Sequence, residues 1–151
     1  MSADVWFYRL DAAPLEQGAP PLVEKCLERG WRVLVRGDDP VRLAALDAAL
    51  WTFRPDAFVP HGLEGRDDPA PNPVWLTTSP AGNANGAQAL VLLGAAWEAR
   101  RDAFARVLVV FDGADEAAVQ RARSRWREVK AAGEAAQFWR QDAQGRWEKQ
   151  G

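Results

Sequence analysis

Three observations predict an α/β fold, with a mostly parallel sheet and helices on both faces. Strand-like apolar runs alternate with helix-period segments along the chain. The run Arg106-Val107-Leu108-Val109-Val110-Phe111 is nearly all apolar, which suits a central strand buried on both faces. The helix-period segments carry their own start and stop residues, Asp39-Pro40 and the glycines Gly30 and Gly133. At 151 residues the chain reads as one domain over 1–151, with a short C-terminal tail from about residue 142.

The elements follow in order. Val5 to Leu10 is aromatic-rich and reads as a first strand. Pro14 to Arg29 takes helical spacing once past Pro20 and Pro21, through Leu22, Val23, Cys26 and Leu27, and Gly30 stops it. Trp31 to Arg36 is the second strand. Asp39 is the expected N-cap of the next helix, Pro40 its first residue, and Leu43, Leu46, Ala49 and Leu50 its buried stripe. Gly62 to Pro73 is rich in Gly, Asp and Pro and reads as a surface loop. Val74 to Thr77 and Ala89 to Leu93 are strands, separated by a loop at Pro80 to Gly86. Trp97 to Arg101 reads as a helical turn before the central strand. A helix over about Ala114 to Ala132 ends at Gly133, Ala136 to Arg140 is a final strand, and Trp147 falls in the tail.

Composition excludes several classes of function. The formal net charge is −2, a poor balance for coating nucleic acid, so no direct nucleic-acid partner is expected. Cys26 is the only cysteine, which leaves no intramolecular disulfide and no cysteine-based zinc site. The opening residues do not read as a signal peptide, and no apolar run approaches a membrane span. A cytoplasmic protein is the expectation. The dinucleotide fingerprint and the P-loop lysine are missing, so no cofactor is expected. His61 is the only histidine and has no cysteine near it; a turn or pocket-lining role is its ordinary reading, and no metal site is expected. Asp112 ends the central strand as a magnesium ligand would, but without a phosphate loop it reads as a cap carboxylate. A small nucleotide- or phosphate-binding enzyme using Asp112 and His61 at the sheet edge is the alternative reading.

Two segments stand out. Trp51 and Phe58 flank a break in secondary structure just before His61. Downstream, Arg121, Arg123, Arg125 and Arg127 alternate through a helical pattern that also holds Trp126 and Lys130. At 3.6 residues per turn, Ala118, Ala122, Trp126 and Val129 form the buried side. Arg123 and Arg127 share one flank, extended by Lys130, with Val119 between that row and the apolar side; Arg121 and Arg125 share the other flank. On spacing alone the ordinary reading is a solvated helix whose arginine stems cover apolar surface. Nothing in the spacing identifies a ligand.

Taken together, three pieces resemble the chi subunit of bacterial DNA polymerase III: Leu50-Trp51 followed by Phe58-Val59-Pro60-His61-Gly62-Leu63, the opening Phe7-Tyr8-Arg9-Leu10, and the closing stretch Arg123 to Gly133 with its Arg-x-Arg-Trp-Arg core. They occur in the family's order over nearly the whole chain. The resemblance implies a single α/β domain with nucleotide-binding-like topology and no nucleotide site. It implies a non-catalytic replication subunit that links the clamp-loader complex to single-stranded-DNA-binding protein. In that role it holds the protein's acidic C-terminal tail, which ends in phenylalanine, and it pairs with the psi subunit. Carried over by position, Trp51 and Phe58 are the expected apolar walls of the tail pocket, with Arg123 and Arg127 as its basic residues. A guanidinium fork suits a terminal carboxylate. Lys130 or Arg121 would meet the acidic residues of the tail. Two positions depart from the family pattern. Val119 stands where some members carry a basic residue, and Asp112 would repel an acidic tail if it pointed inward.

Overall fold

The computed structural model describes residues 3–53, 56 and 59–151. Its elements are β1 (Asp4–Leu10), α1 (Leu15–Glu28), β2 (Val33–Arg36), α2 (Pro40–Thr52), β3 (Gly62–Leu63), β4 (Val74–Thr77), β5 (Ala89–Leu93), β6 (Arg106–Asp112), α3 (Glu116–Ala131), β7 (Ala135–Gln141) and β8 (Trp147–Lys149). A 3-10 turn occupies Arg101–Ala103. The strands form one sheet in the order β3-β4-β2-β5-β6-β1-β7-β8. Every pairing is parallel except the terminal one between β7 and β8. This is the predicted α/β architecture.

Crossover direction decides which helix covers which face. From β1 the chain runs through α1 to β2 and then through α2 to β3, moving toward one edge. From β6 it runs through α3 to β7, toward the other edge. Parallel crossovers share one hand, so opposite directions place their helices on opposite faces. The core divides accordingly. Tyr8, Leu10, Val33, Val35, Leu108 and Val110 pack with α1 and α2. Val5, Phe7, Leu34, Leu90, Val107, Val109 and Phe111 pack with α3. The period-2 alternation of side chains along β1 and β6 sends successive residues to the two layers.

Asp39 caps α2 as predicted, its carboxylate accepting from the Val41 N–H at 2.9 Å. Asp115 does the same for α3, accepting from Ala117 and Ala118. Gly133 ends α3 at φ +72°, and the Glu134 N–H reaches back to the Val129 carbonyl.

Several elements differ from the sequence reading. The first helix begins at Leu15, with Pro20 and Pro21 inside it. Leu15, Gly18 and Ala19 belong to the same buried stripe as Leu22, so tertiary packing holds the first turn despite the prolines. At Gly18 a Cβ would lie 2.5 Å from the Leu10 side chain, so the helix approaches β1 where glycine allows it. Ala49 is only half-buried, and Asp47 joins the buried side of α2 instead. The expected loop at 62–73 opens with strand β3. The helical turn expected at Trp97 to Arg101 is displaced to Arg101–Ala103. The expected tail is strand β8. An Asp142 turn builds that hairpin: its carboxylate accepts from the Gln144 and Arg146 N–H groups, and Gly145 adopts φ +82°.

Candidate functional site

The outer flank of α3, with β6, β7 and the segment after β8, encloses a concavity of about 410 Å³. Its apolar lining is Phe111, Val119, Ala122, Trp126 and Phe138, and its rim carries Arg9, Arg123 and Arg127. The aromatic lining is held in place before any ligand arrives. Phe138 and Phe7 are register partners on adjacent strands, with near-parallel rings 6.2 Å apart. Trp126 meets both edge-on, at 5.4 Å from Phe7 and 5.8 Å from Phe138, and Phe111 meets Phe138 at 6.0 Å. Such edge-to-face pairs favour one arrangement of the rings over others of equal area.

The arginines are not equivalent. Arg123 and Arg127 are exposed, and among the described residues neither has an ion pair, hydrogen bond or ring contact. Arg9 is tied down: it donates to Asp11 at 3.2 Å and to the Gly113 carbonyl at 3.2 Å, and Asp11 also pairs with Arg140. Arg125 lies over the Trp97 ring, 4.7 Å from its centroid. Arg121 lines a separate crevice that also holds Glu16, Asp38, Asp112 and Asp115. Lys130 sits 5.6 Å from the Trp126 ring centroid, beyond the lining residues of the concavity. Asp112 faces the separate crevice and caps a turn, accepting from the Ala114 N–H at 2.8 Å. It therefore adds no negative charge to the arginine-rimmed concavity.

Of the sequence-predicted residues, Val119, Arg123 and Arg127 come together here. Trp51 does not. It ends α2 on the other face of the sheet, where its ring packs 4.7 Å from that of His61 and remains 51 % exposed. The expectation of one pocket shared by Trp51 and Arg123 is thus corrected, because the crossover direction assigns α2 and α3 to opposite layers. Phe58 lies outside the described residues. The aromatic walls that the sequence reading missed are Trp126, Phe138 and Phe111. The signal for them was the strand alternation, which puts Phe7 and Phe138 on the α3 side.

His61 has a structural role. Its ring is buried, with Nδ1 2.7 Å from the Val59 carbonyl and Nε2 2.9 Å from Asp47 Oδ1. Arg66 donates to both oxygens of Asp47, at 2.9 and 2.8 Å. This network ties the segment before β4 to α2. His61 stands beside β3 and Asp112 ends β6, four places away in the sheet, so they share no site. Among the described residues no group of three or more His, Cys, Asp or Glu side chains could hold a metal ion. Among them, too, no helix is long and apolar enough to cross a membrane.

Comparison with known proteins agrees along most of the chain. The family profile described as "DNA polymerase III chi subunit, HolC" matches residues 1–137. The DNA polymerase III subunit chi of Pseudomonas aeruginosa is 38% identical over 64 residues, 42% of this chain and 45% of that protein. A probable subunit chi of Rickettsia prowazekii is 31% identical over 72 residues, 48% of this chain and 43% of that protein. The chain thus spans under half the length of these two relatives. The Escherichia coli subunit chi is 28% identical over 134 residues, 84% of this chain and 90% of that protein. Since the profile covers nearly all of the fold, the chain belongs to the DNA polymerase III chi subunit family.

Proposed function

We propose that this chain links the polymerase III clamp-loader assembly to single-stranded-DNA-binding protein, by holding that protein's acidic, phenylalanine-terminated tail in the concavity beside α3. As a chi subunit it is an accessory, non-catalytic part of the replicative polymerase. The psi subunit is the proposed connection on the clamp-loader side.

One observation carries the reading. Two guanidiniums without a partner among the described residues, Arg123 and Arg127, stand one turn apart above a preformed aromatic floor. A phenyl ring fits against Trp126 and Phe138, and the carboxylate beside it meets the guanidinium forks. A volume of about 410 Å³ suits one side chain and its terminus, within the range of roughly 300–1,000 Å³ typical of small-ligand sites. Val119 supplies apolar wall where the family pattern would allow a cation. The enzyme alternative has no such support: His61 is fully engaged with Asp47 and Val59, and the crevice containing Asp112 is rich in carboxylates that would repel a phosphate.

The test is a fluorescence-anisotropy titration with a labelled acidic peptide ending in phenylalanine. Binding on the order of micromolar is expected, as suits a few anchors on a small surface. Arg123→Ala should weaken it clearly and Arg121→Ala should not. Equal losses would show that the pocket is not on the Arg123 flank.

A further inference from the structure

On the opposite face of the sheet a second groove lies unclaimed by the proposed tail site. In a parallel sheet both faces are normally covered by helices. Here α1 packs against β2, β5 and β6 and meets only the end of β1, where Gly18 lies against Leu10, and α2 packs against β3 and β4. Over β1, β7 and β8 the α1 side carries a tiled row of aromatic rings instead. Trp139 stacks on Tyr8 nearly parallel at 6.5 Å and on Trp6 at 6.0 Å with a 30° tilt, and Trp147 meets Tyr8 edge-on at 5.1 Å. The three tryptophans are only half-buried. Between this row and α1 runs a groove of about 290 Å³, floored by Leu22 and Leu108. Its walls hold three cations, Lys25, Arg29 and Arg106; Arg106 pairs with Asp4 at 3.5 Å, which leaves Lys25 and Arg29 as the cations open to a partner. Lys25 is exposed and has no ion-pair partner among the described residues.

We propose that this groove docks an amphipathic helix of a partner protein, lying beside α1 over β1, β7 and β8, with its apolar stripe on the tryptophans and carboxylates on its flank toward α1. The vacant helix position in the layer sets the shape of the occupant. The charge of the rim sets its sign: Lys25 stands in the last turn of α1 and Arg29 at its C-cap, while Arg106, paired with Asp4, is held against the Trp6 ring, 3.6 Å from its centroid. Single-stranded nucleic acid fits less well. Bases need open ring faces for stacking. Here Trp6, Tyr8 and Trp139 turn their faces toward one another, and the Arg29 and Arg106 guanidiniums cover Trp31 and Trp6.

The probe is a designed helical peptide of about 18 residues, or five turns. It carries leucine at i, i+3, i+4 and i+7 spacing and glutamate on both flanks. A twin has lysine in place of glutamate, and a third probe is an oligothymidylate. The full chain is titrated with each by anisotropy. The glutamate peptide should bind at least tenfold more tightly than the lysine twin. Lys25→Glu with Arg29→Glu should weaken it at least tenfold, while Arg123→Glu leaves it unchanged. The double variant should retain the wild-type affinity for the phenylalanine-terminated tail peptide, which shows that the fold and the other site are intact. No binding of the glutamate peptide, equal binding of the lysine twin, loss on Arg123→Glu, or displacement by the oligonucleotide would each overturn the proposal. So would concentration-dependent self-association abolished by Lys25→Glu, which would make a second copy of this chain the occupant.

Discussion

The guanidinium of Arg125 lies 4.7 Å over the ring of Trp97. This contact gives Arg125 a different role from Arg123 and Arg127 on either side of it. Arg101 lies 4.9 Å over the same ring and forms ion pairs with Glu128 and Glu134, and the Trp97 indole N–H donates to Glu128. The cluster fastens the segment after β5 to the end of α3. Arg125→Ala should therefore cost about 0.5–1 kcal/mol of stability in urea unfolding and leave tail-peptide affinity unchanged. Arg123→Ala should show the reverse pattern.

Losing the peptide ring that rests on the aromatic floor should matter more than losing one rim charge. Replacing the final phenylalanine of the peptide by alanine should cost roughly 2–4 kcal/mol, as at a binding hot spot. Trp51→Ala should have no effect on this affinity, because Trp51 stands on the other face of the sheet. Rising salt should weaken binding, since Arg123 and Arg127 are exposed to screening. Calorimetric titrations at two ionic strengths measure both effects.

The isolated chain should not bind single-stranded DNA at near-physiological salt. Its net charge is −2, and its cations are divided between two faces of the sheet. Oligonucleotide bound directly, without its coating protein, would contradict the adaptor reading.

Alkaline pH should destabilise the fold through Cys26. Burial pushes this thiol up from 9.0 to about 11, with Arg106 and Arg29 opposing the shift. The native state thus keeps a proton that the unfolded chain releases above about pH 9. The stabilising contribution is complete below pH 9 and is lost as pH rises toward 11. Burial raises the Tyr8 hydroxyl in the same direction. Thermal melts from pH 8 to 11 should show this decline, and Cys26→Ala should flatten it.

Asp47 holds His61 and Arg66 together, so Asp47→Ala should destabilise by about 1–3 kcal/mol through the buried His61 nitrogen it leaves without a partner. Urea unfolding measures it. Tail-peptide affinity should not change.

Much of this architecture was legible in the chain. The apolar run of β6, the Asp39-Pro40 start of α2 and the Gly133 stop of α3 are local signals, and each appears where local physics puts it. The α3 periodicity also placed Val119, Arg123 and Arg127 on one side. What escaped depends on topology. No local pattern states which face a helix covers, and so Trp51 was grouped with arginines that lie on the far side of the sheet. Trp126 and Phe138 looked like ordinary core residues, because their shared edge onto a concavity arises only when β7 pairs with β1. The first turn of α1 was hidden by Pro20 and Pro21, whose local penalty is outweighed by packing of Leu15 and Ala19. Strand β8 was hidden by its three-residue length, although the Asp142 to Gly145 turn before it was readable.

The most direct test is a 15N–1H spectrum of the indole N–H groups of the eight tryptophans, recorded as the phenylalanine-terminated acidic peptide is added. With each signal assigned by single substitution, the Trp126 signal should shift progressively with peptide while that of Trp51 stays fixed. A moving Trp51 signal with Trp126 unchanged would contradict the account and place the tail on the α2 face.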